Sequence, residues 1–196
     1  MYSLSLPVGL LALTTACSAI TANFDGFQTQ AAGQTIGVHN GLDYKNFFVN
    51  SNYFEVTTVL PESYPNRASH LIKDGIDPIG IITVNSNEFK SFNLGALSYG
   101  CAQSEATTGT LFAVACSLEL TAWCDHDKKN PPTVKTVSFA PGPSLVGGLL
   151  LSDMARASTP GLNDIKILEI KVVPAALEGT PRYSIVIDNV EYTLNA

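Results

Sequence analysis

A short stretch of the chain places an aromatic ring, a carboxylate and a hydroxyl on one side of a predicted strand. In FAVACSLELTAWC, apolar and polar residues alternate, which is typical of a half-buried strand. Two leucines and Cys116 fill one face, and the opposite face carries Glu119, Thr121 and Trp123. An outward indole can stack on a sugar ring while its neighbours form hydrogen bonds, and Tyr44 offers a similar aromatic surface. The pattern therefore predicts a carbohydrate-binding face.

Two other interpretations of Trp123 stay open. Tryptophan is usually largely buried in folded proteins. The indole would then pack under the charged loop DHDKKNPP that follows it, or its whole face would belong to the second core of a sandwich.

The residue types that commonly carry catalysis form no recognisable set. The sequence has no H-E-x-x-H motif, no C-x-x-C pair and no G-x-S-x-G motif, so common zinc sites and a serine nucleophile elbow are not predicted. A glycoside hydrolase needs two carboxylates about 5–9.5 Å apart, and the sequence alone does not pair its acidic residues. We therefore predict that the protein is not an enzyme, with a weak glycan-cleaving activity as an alternative.

The composition excludes several classes of partner. Charged residues make up 14% of the 196, well below the roughly 25% usual for soluble domains. The formal net charge is −6 and no basic cluster occurs, so nucleic acid and anionic membranes are not expected to bind. Hydrophobic residues make up 45%, which is enough for the core of one domain.

The N-terminus resembles a secretory signal peptide. MYSLSLPVGLLALTTACSAITA holds no charged residue, has an apolar centre, and ends in small residues. The apolar run is shorter than the about 20 residues that a spanning helix needs; a buried N-terminal strand is the other interpretation. We expect a signal peptide over 1–19, with cleavage as late as residue 22, and a single domain over 23–196. The protein is thus predicted to be secreted.

Three cysteines stay in the secreted chain, so at most one bridge forms within it. If FAVACSLELTAWC is one strand, Cys116 and Cys124 lie about 26 Å apart, whereas a disulfide needs Cα atoms within about 7 Å. Cys101 and Cys116 flank a polar turn and can meet across a hairpin. We predict a Cys101–Cys116 disulfide, with Cys124 free or half-buried.

The apolar pattern has period two almost throughout, and no long segment has helical periodicity. About eight to ten short strands with turn signals between them predict an all-β, antiparallel sandwich. Two strands, IKILEIKVV and YSIVIDNVEYTL, switch the parity of their apolar residues midway. Such a switch indicates a β-bulge, or a strand that is buried on both faces.

Several short motifs give the chain a family resemblance. NFDGF, GLDYKNFFVN, FKSFNLGALSYGCA, ACSLELTAWC and YSIVIDNVEY together resemble a broad group of small secreted fungal proteins, mostly without known activity. The resemblance implies a jelly-roll sandwich similar to carbohydrate-binding modules.

The resemblance also implies that the first and last strands are neighbours, which would bring Asp25 near Asp188 and Asn189. Carboxylate and amide oxygens suit Ca²⁺, which takes six to eight oxygen ligands. Two strands alone supply too few, so the preferred interpretation is that these residues cap turns or accept backbone N–H groups at a bulge. We expect no cofactor, with Ca²⁺ as the alternative.

These observations predict a monomeric, non-catalytic protein that binds cell-wall polysaccharide outside the cell. The alternative from another class is a secreted effector that engages a host surface protein.

Overall fold

Within the residues that the structure describes, all regular secondary structure is β-strand. The computed structural model describes residues 18–27, 33–51, 59–73, 79–104, 111–142, 144–146, 149–173 and 182–196. No helix that could cross a membrane is found among them. The fifteen strands are β1 Ile20–Ala22, β2 Gln34–His39, β3 Leu42–Ser51, β4 Val59–Leu60, β5 Asn66–Lys73, β6 Ile79–Val84, β7 Ser91–Ser104, β8 Leu111–Ala113, β9 Cys116–Trp123, β10 Thr133–Phe139, β11 Ser144–Val146, β12 Leu149–Asp153, β13 Ala155–Ser158, β14 Ile167–Val173 and β15 Arg182–Asn195.

The strands form one large antiparallel sheet and one small sheet. The large sheet has the order β10-β9-β14-β6-β3-β5-β15-β7-β13, with β1 paired to β15, β2 to β3 and β8 to β7. The small sheet has the order β11-β12-β4, in which β12 and β4 run parallel. The predicted all-β, antiparallel class is confirmed. The strand number exceeds eight to ten because five of the described strands have four residues or fewer.

The large sheet curls until its two ends approach each other. Lys135 Nζ on β10 donates a hydrogen bond to the Ser158 carbonyl oxygen on β13, at 2.8 Å. Tyr99 on β7 donates from its hydroxyl to the Ser138 carbonyl oxygen on β10, also at 2.8 Å. The apolar core therefore lies between two halves of one sheet, as in a β-sandwich. The jelly-roll order of connections stays a prediction.

The small sheet covers the second face of the β5–β15–β7 region. Buried Arg67 on β5 donates from Nη1 to the Val59 carbonyl oxygen on β4, at 2.7 Å. Gly100 on β7 permits this close approach, since a Cβ atom there would lie 2.8 Å from Val59 Cγ1. Residues 184–188 of β15 are consequently buried on both faces. The interpretation that the strand is buried on both faces is thus correct for the first half of β15.

The bulge interpretation is also correct for β15. Its register against β7 shifts between Asp188 and Glu191, and Asn189 has a φ of 43°. For IKILEIKVV a bulge was the wrong interpretation, because β14 pairs with β6 and β9 without any register shift. The parity changes because Ile165 lies before the strand, in an isolated bridge to Phe92.

The first and last described strands are neighbours, as the resemblance implies. Ile20 of β1 lies opposite Tyr192 of β15, and Ala22 lies opposite Val190. This pairing positions the turn that follows β1, with Asp25, beside the β15 bulge.

Candidate functional site

The outward face of β9 is organised as its alternation predicts. The even-numbered positions of β9, from Cys116 to Ala122, are buried, and the odd-numbered ones are partly exposed. Glu119, Thr121 and Trp123 therefore share the outer face of the sheet.

The outer face continues across four further strands. Strand register places one row of residues side by side in the order Trp123, Ile167, Thr83, Asp43 and Val38. Because neighbouring strands lie about 4.8 Å apart, the row is about 19 Å long. It mixes apolar and polar side chains on one surface.

An open cleft lies along four of the five members of this row. Its volume is about 380 Å³. It is lined by Val38, Asp43, Lys45, Thr83, Val84, Asn85, Ser86, His126 and Ile167. The sheet forms the floor, the turn after β6 forms one wall, and the loop after β9 contributes His126.

The loop that carries His126 is held by Asp125. Its two carboxylate oxygens accept backbone hydrogen bonds from Lys129 and Asn130, both at 2.9 Å. The bond from Asn130, followed by that from Lys129, lowers the pKa of Asp125. An ionised Asp125 thus gives the loop a fixed shape beside the cleft.

Trp123 lies at the end of the row, next to the cleft. Its Nε1 donates a hydrogen bond to Glu169 Oε2 at 3.0 Å, and the Lys128 ammonium lies 5.6 Å from the ring centroid. Lys128 also forms an ion pair with Glu169. The interpretation that the indole packs under the following loop is therefore correct in part, because one loop side chain covers it. Trp123 is still partly exposed.

Three acidic residues in the described part of the chain lie on this face of the sheet: Glu119, Glu169 and Asp43. Glu119 lies diagonally from Glu169 on the neighbouring strand, a separation of about 7–8 Å. The Glu169 carboxylate accepts a hydrogen bond from Trp123, which lies on the far side of Thr121 from Glu119. Asp43 is two strands and two residues from Glu169, about 12 Å between Cα atoms.

Tyr44 is not a surface residue, so its predicted contact with a ligand is wrong. It faces the core with no exposed area, and its ring packs against Phe24 and Phe47 in edge-on geometry. Asp43 takes the outward position because β3 alternates. Burial, with Tyr192 next in importance, raises the pKa of Tyr44 well above its usual value.

Replacing this buried tyrosine tests the correction. Tyr44→Phe is expected to leave ligand binding unchanged and to alter the free energy of unfolding by less than about 1 kcal/mol, because the hydroxyl makes at most a weak neutral interaction. Urea unfolding and a binding isotherm measure the two quantities. A loss of binding without a loss of stability would restore Tyr44 to the site.

The residues predicted to bind metal do come together, but in another role. Asp188 accepts the backbone N–H of Ser63 on Oδ2 and that of Asn189 on Oδ1, each at 2.8 Å. Asp25 accepts the backbone N–H of Asn66 at 3.2 Å. Donors thus contact both oxygens of Asp188 and one oxygen of Asp25, an arrangement that fits capping. Among the described residues, no three acidic, histidine or cysteine side chains converge as metal ligands.

The environment of Asp188 favours its protonated form. Burial, which has the largest effect, raises its pKa to about 6, and the Asp25 carboxylate contributes in the same direction. The hydrogen bonds from Ser63 and Asn189 act in the opposite direction. The expectation that the protein needs no cofactor stays a prediction.

Sequence reasoning missed the cleft itself. Its floor uses outward residues of β2, β3, β6 and β14, and alternation identifies each of them only as outward. Apart from the β2–β3 hairpin, their side-by-side order depends on pairing between strands that are distant in sequence. His126 lies in the charged loop DHDKKNPP, and no local signal shows that this loop folds beside β6.

The chain matches no protein-family model and no curated protein sequence. Among solved structures, it is similar to the K1 cleaved adhesin domain of Lys-gingipain from Porphyromonas gingivalis W83, at 8% identity and a TM-score of 0.38, covering 91% of this chain and 95% of that one. It is also similar to the agarase AgWH50C, at 12% identity and a TM-score of 0.39, covering 91% of this chain and 24% of the agarase. Similarities of this size assign no function.

Proposed function

We propose that the protein is a secreted, monomeric, non-catalytic binding protein that holds neutral cell-wall polysaccharide on the outer face of its large sheet. The observation that carries the proposal is the open cleft of about 380 Å³ between the turn after β6 and the loop after β9. That volume falls in the range of about 300–1,000 Å³ typical of small-molecule sites.

The lining of the cleft suits a ligand rich in hydroxyl groups. Asp43 accepts hydrogen bonds, Lys45 donates them, and Thr83 and Ser86 can do both. One carboxylate and one ammonium leave no strong preference for a charged ligand. Val38, which is 60% exposed, and Ile167 offer apolar surface to the C–H face of a sugar ring.

The acidic residues support a non-catalytic role. Of the described residues that line the cleft, Asp43 is the only carboxylate. Most glycoside hydrolases, retaining and inverting alike, use two carboxylates in one cleft.

A disulfide supports action outside the cell. Cys101 and Cys116 form the predicted bond, and Cys124 is free and exposed. Such bonds persist mainly in oxidising compartments. The proposed signal peptide, over 1–19, lies almost wholly outside the described residues.

The test is retention of the purified protein on insoluble chitin, β-glucan and cellulose. We expect retention on at least one of them, and Asp43→Ala should weaken it about tenfold or more, because a hydrogen bond to a charged group contributes about 1.5–3 kcal/mol. Asp153→Ala is the matched control, since Asp153 is exposed and lies on β12, outside the cleft. Its retention should equal that of the wild type.

Two results would contradict the proposal. Retention on none of the polysaccharides would overturn glycan binding and favour a secreted effector that engages a host protein. Release of new reducing ends from a retained polysaccharide would overturn the non-catalytic role.

A further inference from the structure

We infer that Trp123 forms a second sugar subsite beside the cleft, and that Lys128 covers this subsite in the free protein and is displaced when a long polysaccharide binds. The inference rests on the proposed function. It adds a direction to the bound chain, which crosses the strands from the cleft toward Trp123.

Strand register places the two subsites next to each other. Ile167, which lines the cleft, lies directly opposite Trp123 on the neighbouring strand. The two Cα atoms are therefore separated by about 5 Å. A linear chain that fills the cleft along its row reaches the indole at its next position.

The indole is oriented before any ligand binds. The bond from its Nε1 to Glu169 fixes the edge of the ring, so a ligand need not order it. Lys128 shows what the ring face attracts, because an ammonium group is held over the negative face of an aromatic ring. The C–H groups of a sugar carry small positive partial charges and can take the same place.

Lys128 can leave without unfolding its loop. The Lys128 side chain is 40% exposed, whereas that of Glu169 is 15% exposed. Glu169 keeps its hydrogen bond from Trp123 Nε1 when Lys128 moves into solvent. The backbone of the loop is held separately, by the bonds that Asp125 accepts from Lys129 and Asn130. A movement confined to the Lys128 side chain is enough to open the ring face.

Tryptophan fluorescence can report the displacement of Lys128 from the indole, because Trp123 is the only tryptophan in the sequence. Disaccharides and hexasaccharides of chitin, β-1,3-glucan and cellulose are titrated into the full-length protein, with calorimetry reporting binding and tryptophan emission reporting contact with Trp123. We expect disaccharides of the retained polysaccharide to bind without a change in emission. Hexasaccharides should bind more tightly and shift the emission.

Two variants give effects of opposite sign. Trp123→Ala should weaken hexasaccharide binding about tenfold, since stacking on an aromatic side chain contributes roughly this much, and leave disaccharide binding unchanged. Lys128→Asn should strengthen hexasaccharide binding about threefold, because the exposed cation no longer competes for the ring. Asparagine tolerates the φ of 53° at this position.

Lys129→Asn is the matched control. It removes the same charge from the same loop, but Lys129 pairs with Asp127 and should not affect binding. Disaccharide binding by Trp123→Ala shows that this variant is folded. Hexasaccharide binding without an emission change, together with wild-type affinity in Trp123→Ala, would overturn the second subsite and leave the proposed function standing. No heat with any oligosaccharide would overturn both.

Discussion

Asp188→Ala is expected to lower the free energy of unfolding by about 2–4 kcal/mol at pH 7.5. The variant leaves two backbone N–H groups, of Ser63 and Asn189, without the acceptors that they contact at 2.8 Å. Both bonds are partly buried, and a donor that loses its acceptor away from water costs about 1–3 kcal/mol. Urea unfolding of the variant and the wild type measures the difference.

The loss should be large because the carboxylate joins separate parts of the fold. Asp188 lies in the bulge of β15, and Ser63 lies in the segment between β4 and β5. Asn66, at the start of β5, also donates from its side chain to the carbonyl oxygens of Phe24 and Phe27, at 3.1 and 2.8 Å. The last strand, the turn after β1 and the start of β5 thus meet here.

The same residue gives a pH-dependent stability of known sign. Burial raises the folded-state pKa of Asp188 to about 6, above the unfolded value of about 3.9. The folded state therefore binds this proton more tightly than the unfolded state does. The stability that comes from this tighter proton binding is fully present below about pH 4 and is lost as the pH rises through about 6. The stability of the wild type relative to Asp188→Asn should fall by an amount on the order of 2 kcal/mol between pH 4 and pH 7.5.

Other carboxylates titrate in the same window, so the comparison with Asp188→Asn is what isolates this group. Asp153→Asn, at an exposed position, should follow the wild type at every pH. A relative stability that does not change between pH 4 and pH 7.5 would show that Asp188 titrates alike in the folded and unfolded states. A wild type that gains stability over this range relative to Asp188→Asn would show a lowered pKa, contrary to the burial argument.

Local patterns were sufficient to predict the elements of this fold. Alternation in FAVACSLELTAWC predicted the inner and outer faces of β9 because a strand has a side-chain period of two, whatever its neighbours. The parity switch at Asp188 and Asn189 predicted the bulge for the same reason. In β14 the same signal misled, because Ile165 lies before the strand and not within it.

Neighbour relations across the sheet were beyond local reasoning. β14 lies between β9 and β6, and β3 lies next to β6, so the cleft is built from four segments that are far apart in sequence. The aromatic ring of Tyr44 suggests contact with a ligand, but its parity with Leu42 places it in the core. The pairing of β1 with β15 agrees with the neighbour relation that the resemblance implies, although the Phe24–Asp25 pair lies in the turn after β1 and not in the strand.

Removing the Cys101–Cys116 disulfide is expected to lower the free energy of unfolding by about 3 kcal/mol, the value for a closed loop of about 15 residues. The two cysteines lie on β7 and β9, which are not neighbours in the sheet. The bond therefore joins the two halves of the curled sheet across the core. Alanine is the suitable replacement for both residues, since each is buried and serine would add a polar group.

The measurement is best made by urea unfolding in a Cys124→Ser background, so that the exposed free thiol does not exchange with the bond. Cys124→Ser alone is the control and should unfold at the wild-type urea concentration. If Cys101→Ala/Cys116→Ala does not fold, the thermal midpoint of the Cys124→Ser protein with and without a reductant gives the same comparison. A loss below about 1 kcal/mol would contradict this prediction. It would show that hydrogen bonding between the strands that separate β9 from β7 in the sheet is enough to hold these two strands opposite each other without the disulfide.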